Sequence, residues 1–181
     1  KEKWGNSLEL KKSKIGILGG SFDPAHRGHL AISKEALRRF KLKRVIWAIT
    51  RKNPLKKTSS QSLSIRIKKC KKILKRITSI KIKFYEDKIK SNKTVDLINY
   101  LKKSNKNEIY FLMGADNLIN FHKWHKWKTI SQKCNIIVFD RHGYKKKSLN
   151  STTFKTLNQK NLKFIEFNKV NISSSQLRKI W

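Results

Sequence analysis

The chain has 181 residues, and its 45 Lys and Arg against 11 Asp and Glu give a formal net charge of +34. This length suits one domain that buries its core without disulfides or structural metal. The basic charge raises nucleic-acid binding as a hypothesis. However, the lysines are scattered, and Lys, Asn and Ile are abundant where Ala, Gly and Pro are scarce, so A- and T-rich codons explain the charge more simply. Nucleic acid is therefore not expected as a partner, and attraction of anionic substrates stays open.

The chain shows no sign of secretion or of a membrane partner. No apolar run is long enough for a signal peptide, and none approaches the roughly 18 residues of a membrane span. Cys70 and Cys134 lie far apart in apolar-patterned segments, so we expect buried thiols rather than metal ligands or a disulfide. These features predict a cytoplasmic protein. Residues 1–13 are expected to be a disordered extension of a single domain over residues 14–181, and the sequence leaves homo-oligomerisation open.

Short β-branched runs alternate with helical patterns along the chain. Strands are predicted over 14–18, 44–50, 80–84, 109–113, 135–139 and 163–167. Helices are predicted over 28–40, 61–77, 94–103, a broken pair across 116–132, and 174–181. This alternation predicts an α/β, Rossmann-like three-layer fold, in which helices cover both faces of a mainly parallel sheet. Ligands of such sheets bind at the carboxyl ends of the strands.

The segment GGSFDPAHRGHL, residues 19–30, follows the first predicted strand directly. Its two leading glycines let the backbone turn and approach a ligand closely, and Gly28 opens the next helix. A helix N-terminus offers unpaired N–H groups and the positive end of the helix dipole, which suits phosphate. His26 and His29 lie at the same end and can donate hydrogen bonds to phosphate oxygens, although a turn with two solvated histidines is the alternative. The spacing is not G-x-G-x-x-G, which disfavours a nicotinamide-dependent dehydrogenase.

With its H-x-G-H core at residues 26–29, this segment is similar to the signature of the nucleotidylyltransferase superfamily. The form G-G-S-F-D-P-x-H-x-G-H most resembles that of the bacterial nicotinate-nucleotide adenylyltransferases. Further segments agree with that family in chain order: NPLK at 53–56, TVD at 94–96, FLMGADNLINFHKWHKW at 111–127 and ISSSQLRK at 172–179. The resemblance covers about residues 14–181.

The resemblance implies transfer of AMP from ATP to the 5′-phosphate of nicotinate mononucleotide, which gives deamido-NAD and pyrophosphate in NAD biosynthesis. The substrate phosphate attacks the α-phosphorus directly, so positive groups must align two anions and stabilise the transferring group. The implied catalytic residues are His26, His29, Lys56 and Arg178. The implied ATP-binding residues are Gly19, Gly20, Ser21, Phe22, Gly28, Asp116, Ile172, Ser173, Ser174 and Ser175. Mg²⁺ is expected with the ATP phosphates rather than in a protein cage.

The resemblance also implies an acceptor pocket, in which the indole of Trp124 stacks on the nicotinate ring. Main-chain N–H groups at Thr94 and His125 would hold the nicotinate carboxylate. On the residues alone, the spacing of the aromatic side chains around Trp124 is also that of simple packing, and Asp116 is also placed to cap a helix. His122 and His125 lack a third ligand, so no metal site is predicted. The choice between nicotinate and nicotinamide mononucleotide stays open. The main alternative function is that of a phosphopantetheine adenylyltransferase. A nucleic-acid-binding protein is the less favoured alternative.

Overall fold

The computed structural model describes residues 11–51, 61–104, 106–140, 144–157 and 161–166. Its strands are β1 (Ser13–Gly20), β2 (Arg44–Ile49), β3 (Ile80–Lys83), β4 (Asn107–Gly114), β5 (Asn135–Asp140) and β6 (Leu162–Glu166). Within these residues they form one parallel sheet in the order β3-β2-β1-β4-β5-β6. All the predicted strands are confirmed. The sheet begins at Ser13, whose N–H donates to the Lys106 carbonyl (2.9 Å), one residue before the predicted start of the domain.

The helices are α1 (Arg27–Phe40), α2 (Leu63–Ile73), α3 (Glu86–Ile89), α4 (Thr94–Lys102), α5 (Ala115–Asn120), α6 (Trp127–Lys133), α7 (Lys145–Leu149) and α8 (Thr152–Thr156). A 3₁₀ turn over Phe121–Lys123 separates α5 from α6, which confirms the broken pair. The sequence did not predict α3, α7 or α8, because four or five residues are too few to show a helical period. None of the helices in the described part of the chain is long and apolar enough to cross a membrane.

The extent of α2 differs from the prediction at both ends. Ser62 caps it, with the Ser62 hydroxyl accepting the Ile65 N–H (3.4 Å), so the helix begins at Leu63 rather than at Gln61. It ends at Ile73, although the apolar pattern continues to Ile77. The pattern misleads here because residues in the loop toward β3 also pack on the core. The helix predicted over 174–181 lies outside the described residues.

The sheet separates two apolar cores, since alternate side chains of each strand point to opposite faces. One core places Ile17 of β1 and Phe111 of β4 against α4, α5 and α6. The other places Trp47 of β2 and Leu112 of β4 against α1 and α2. Strands buried on both faces read as continuous apolar runs, which is why the sequence revealed them. The predicted three-layer α/β fold is confirmed.

Both cysteines are free and buried, as expected. Burial raises the pKa of the Cys70 thiol to about 11 and that of the Cys134 thiol to about 12. The Cys134 thiol also donates to the Ile130 carbonyl (3.0 Å). Because the thiolate is the reactive form, neither side chain supplies a nucleophile at neutral pH.

The strand order reverses between β1 and β4. β1 pairs with β4 on one side and with β2 on the other, so the chain leaves β1 and β4 toward opposite ends of the sheet. The loops that follow these two strands therefore diverge and open a crevice at the carboxyl edge, which is where α/β sheets bind ligands. The segments that begin at residues 19 and 114 both start at this point.

Candidate active site

The helix α1 begins with a reciprocal cap made by two histidines. His26 is the N-cap residue, and its Nδ1 accepts the Gly28 N–H (3.1 Å). In return, Nδ1 of His29 accepts the His26 N–H (3.1 Å), and the two half-buried rings stack with centroids 3.8 Å apart. This is a capping box with imidazoles in place of the usual Ser and Glu, and it pairs donors that a helix start leaves open. The helix consequently begins at Arg27, one residue before the predicted Gly28.

The cap determines which nitrogen of each ring donates. Because both Nδ1 atoms accept a main-chain N–H, these bonds assign the proton of each neutral ring to Nε2. Each ring therefore carries its N–H at Nε2, and the two rings lie side by side at the start of α1. Their three-residue separation is the spacing of a capping box, so the sequence held this signal, although the prediction used it only for phosphate binding.

A buried aromatic stack supports the His29 ring. The Phe22 ring lies 4.6 Å from the His29 ring and 4.9 Å from the Trp47 ring, measured between centroids. Phe22 has φ 50°, in the left-handed region, where a residue other than glycine loses about 1–3 kcal/mol. Phe22 and Trp47 are both buried, so packing of their rings compensates for that backbone strain.

This geometry corrects the predicted role of the two glycines at the head of the segment. Gly19 and Gly20 lie in β1, and neither has a left-handed φ. The turn occurs at Phe22 instead, since its ring gains more by burial than its backbone loses. A Cβ built on Gly19 would meet nothing within 4 Å, so the space beside that backbone is open. The fold therefore leaves room for a side chain at position 19.

A hydrogen-bond chain connects β2 with the His29 backbone. The indole N–H of Trp47 donates to the Ser33 hydroxyl (2.8 Å), which donates to the His29 carbonyl (2.7 Å). Ser33 and Trp47 are both 0% exposed, so water cannot replace either partner. Ser33 and Trp47 are 14 residues apart and lie in different elements, so the sequence did not predict these hydrogen bonds.

Ser33→Ala is expected to lower the free energy of unfolding by about 1–3 kcal/mol, because the Trp47 N–H is left buried without an acceptor. Urea denaturation followed by tryptophan fluorescence measures this loss. Lys34→Ala, at the exposed next position of α1, is the control and should change stability by under about 0.5 kcal/mol. Equal stability of the two variants would show that the Trp47–Ser33 bond contributes nothing.

Asp116 follows β4 and lies in the first turn of α5. It does not cap that helix: the N-cap residue is Gly114, and no side chain bonds the cap, so the N-cap alternative is wrong. The half-buried carboxylate folds back over Gly114, where a Cβ would lie 2.4 Å from the Asp116 Oδ1. Glycine at position 114 therefore gives the Asp116 carboxylate its place at the crevice.

The predicted acceptor residues lie on the face of the sheet that α4 and α6 cover. Thr94 is the first residue of α4, and Val95 beside it packs in the same core as Trp124. Trp124 is half-buried and meets the Phe121 ring edge to face, with centroids 5.1 Å apart. His125 is exposed. Part of the Trp124 ring is thus packed, as the alternative proposed, while the rest stays accessible.

His122 is held by a buried side chain. Its main-chain N–H donates to the Thr153 hydroxyl (3.1 Å), and its Nδ1 lies 3.3 Å from the same oxygen. Thr153 belongs to α8, which the sequence did not predict. Across the described residues, no three His, Cys, Asp or Glu side chains are grouped so that they could hold a metal ion.

Comparison with known proteins decides the family. The cytidylyltransferase-like family model matches residues 17–180. This chain belongs to the cytidylyltransferase-like family. A family member from Pelagibacter ubique (strain HTCC1062), named probable nicotinate-nucleotide adenylyltransferase, is 65% identical and covers 97% of each chain. A Bradyrhizobium sp. (strain ORS 278) protein of the same name is 38% identical over 80% of this chain and 76% of its own length.

A solved structure shares the fold of this family member. Plasmodium falciparum nicotinic acid mononucleotide adenylyltransferase complexed with NaAD matches with a TM-score of 0.74. The match covers 92% of this chain and 83% of that chain at 22% sequence identity. The predicted resemblance to the nicotinate-nucleotide adenylyltransferases is thereby confirmed for both sequence and fold.

Six of the site residues predicted for this chain lie outside the described residues: Lys56, Ile172, Ser173, Ser174, Ser175 and Arg178. Their roles stay predictions. The sequence also did not single out Arg66, which is buried and donates to the Ser21 carbonyl beyond the end of β1. No signal distinguished it, because it is one of 45 Lys and Arg residues in the chain.

Proposed function

We propose that this chain transfers AMP from ATP to nicotinate mononucleotide and releases deamido-NAD and pyrophosphate. The observation that carries the proposal is the pair of capped histidines beside the point where the strand order reverses. It is supported by 65% identity, over nearly the full length, to a probable nicotinate-nucleotide adenylyltransferase.

The chemistry needs charge stabilisation rather than a protein nucleophile. A phosphate oxygen of the acceptor forms a new bond to the α-phosphorus of ATP, and the bond from that phosphorus to the bridging oxygen breaks. Pyrophosphate leaves with the electron pair of that bond. The Nε2–H groups of His26 and His29 would donate to phosphate oxygens whose negative charge grows in the transition state. Since the cap already fixes both rings, little reorganisation is required when ATP binds.

The acceptor pocket is proposed beside Trp124, where the accessible part of the indole can stack on a pyridine ring. The N–H of Thr94 has no partner within α4, because the first N–H groups of a helix lack one. It is therefore available to a carboxylate, as the N–H of His125 would be. These two main-chain N–H groups can donate hydrogen bonds but cannot accept them, which matches the two acceptor oxygens of the nicotinate carboxylate.

Mg²⁺ is proposed to arrive with ATP, whose phosphates would supply most of its ligands. When bound, such an ion neutralises phosphate charge. No step above depends on a residue that ligates it.

Nicotinate mononucleotide is expected to be the preferred acceptor. Its kcat/KM should exceed that of nicotinamide mononucleotide by about 10-fold to 100-fold, because the carboxamide NH₂ meets donors, at about 1–3 kcal/mol for each unpaired group. The measurement is pyrophosphate release with ATP, Mg²⁺ and each acceptor in turn, phosphopantetheine included. Equal or faster turnover of nicotinamide mononucleotide contradicts the nicotinate pocket, and turnover of phosphopantetheine supports the alternative enzyme.

Trp124→Ala tests the same pocket by a different route. Stacking serves both pyridine rings, so this variant should raise KM for both acceptors and leave their ratio nearly unchanged. Trp127→Ala is the matched control, because Trp127 packs on the same Phe121 ring (6.1 Å) from the start of α6. An unchanged acceptor KM in Trp124→Ala would remove Trp124 from the pocket.

A further inference from the structure

Arg66 of α2 is buried and donates to four main-chain oxygens. It is 1% exposed. Its Nη1 donates to the carbonyls of Ser21 (2.8 Å) and Thr50 (2.7 Å), its Nη2 to Arg51 (2.6 Å), and its Nε to Gln61 (3.2 Å). Among the described residues, no carboxylate pairs with it. Carbonyl dipoles of the described residues therefore surround a full positive charge inside the protein.

The guanidinium occupies the point where β1 and β2 separate. The Thr50 N–H donates to the Gly20 carbonyl (2.9 Å) directly beyond the ends of the paired strands. Beyond this bond the two chains diverge, and Nη1 of Arg66 bridges the carbonyls of Ser21 and Thr50. The side chain thus ties together the first residues that follow β1 and β2, Ser21 on one side and Thr50 and Arg51 on the other.

The contact with Ser21 leads directly to the capped histidines. Ser21 precedes Phe22, whose backbone is left-handed and whose ring lies 4.6 Å from the His29 ring. Because the Ser21 carbonyl belongs to the peptide that enters Phe22, a bond to this oxygen restrains that peptide and with it the φ of Phe22. Arg66 therefore acts on His29 through Phe22 without touching it.

The stability of the fold does not require an arginine at position 66. A buried charge without a paired anion carries a large desolvation cost, and well-packed apolar side chains often replace buried charges without loss. Only the guanidinium offers a planar fork with enough donors to reach four carbonyls in three segments of the chain. Its remaining net charge raises the positive potential at the end of the sheet where the phosphates are expected.

We propose that Arg66 is a positioning residue for the ATP phosphates. Its fork holds Ser21, Thr50 and Arg51, the first residues after β1 and β2, and its charge favours the triphosphate. This inference rests on the proposed function and deepens it by assigning a residue that acts on ATP and not on the acceptor nucleotide.

The test compares Arg66→Lys and Arg66→Met with the wild-type chain. Arg66→Lys keeps the charge and loses the fork, so the KM for ATP should rise about tenfold and kcat should fall, with the acceptor KM within about threefold. Arg66→Met loses both and should raise the KM for ATP further. Lys69→Met, on an exposed position of the same helix, removes one surface charge and should leave every constant unchanged.

Thermal unfolding of each variant separates positioning from simple support of the fold. If Arg66 only supported the fold, its variants would have a lower Tm, while the kinetic constants of the folded fraction would not change. Alternatively, the KM values for ATP and for the acceptor would rise equally. Either result overturns the proposal. If Arg66→Met does not fold, Arg66→Lys alone decides. Direct binding of ATP without acceptor gives the same comparison as a Kd. If the wild-type chain binds ATP but turns over no nicotinate mononucleotide, the proposed function fails while the Arg66 test still stands.

Discussion

His29→Ala is expected to lower kcat for pyrophosphate release by about 10²-fold to 10³-fold, which is the usual effect of removing one preorganised donor to developing charge. The ring is held by the His26 N–H at Nδ1, by stacking on His26 and by the Phe22 ring, so its donor is preorganised. The same substitution removes one helix-capping bond, at a cost of about 0.5–2 kcal/mol in stability. Steady-state kinetics at saturating ATP, on protein shown to be folded, measures the catalytic part.

His29→Asn separates the cap from the chemistry. The amide oxygen of Asn can still accept the His26 N–H, but the side chain is too short to present the Nε2 donor. This variant should be nearly as stable as wild type and as slow as His29→Ala. His122→Ala is the control, because His122 bonds Thr153 away from the α1 cap, and it should retain activity. Full activity of His29→Asn would mean that His29 serves only the helix.

Gly19→Ala is expected to lower kcat/KM for ATP by about 10²-fold, since a displacement of reacting groups by about 1 Å has an effect of that size. The fold should not suffer. A Cβ at position 19 meets nothing within 4 Å, and replacing glycine with alanine stabilises by about 0.4–1 kcal/mol where the backbone permits it. Kinetics and urea denaturation on the same preparation test both halves of the prediction.

Gly16→Ala is the matched control in the same strand, with the opposite outcome. Its Cβ would lie 2.9 Å from Leu42 Cδ1 and 3.0 Å from Val45 Cγ2, inside the core. Overpacking of this kind costs about 1–3 kcal/mol, so stability should fall while the folded enzyme stays active. If Gly19→Ala left kcat/KM for ATP unchanged, Gly19 would not belong to the ATP site.

The strands, the long helices and the family could be predicted from local sequence patterns. The strands of a doubly covered sheet are buried on both faces, so each leaves a run of apolar residues that a periodicity argument can detect. The H-x-G-H segment and its companion motifs were local enough to identify the nucleotidylyltransferase chemistry. They also pointed to His26, His29 and Trp124 as the residues to examine. The very short helices escaped because they contain less than two turns.

The contacts that hold those residues in place could not be predicted, because they depend on the tertiary fold. The turn after β1 occurs at Phe22 and not at the glycines, because burial of its ring against Trp47 outweighs backbone strain. The Ser33–Trp47 bond joins a helix to a strand. The sequence does not distinguish Arg66 from the many other basic residues, because the carbonyls that it binds come from separate segments that only the folded sheet brings together. Local patterns follow from the periodicity of one element, whereas hydrogen-bond partners and burial depend on which elements the fold brings together.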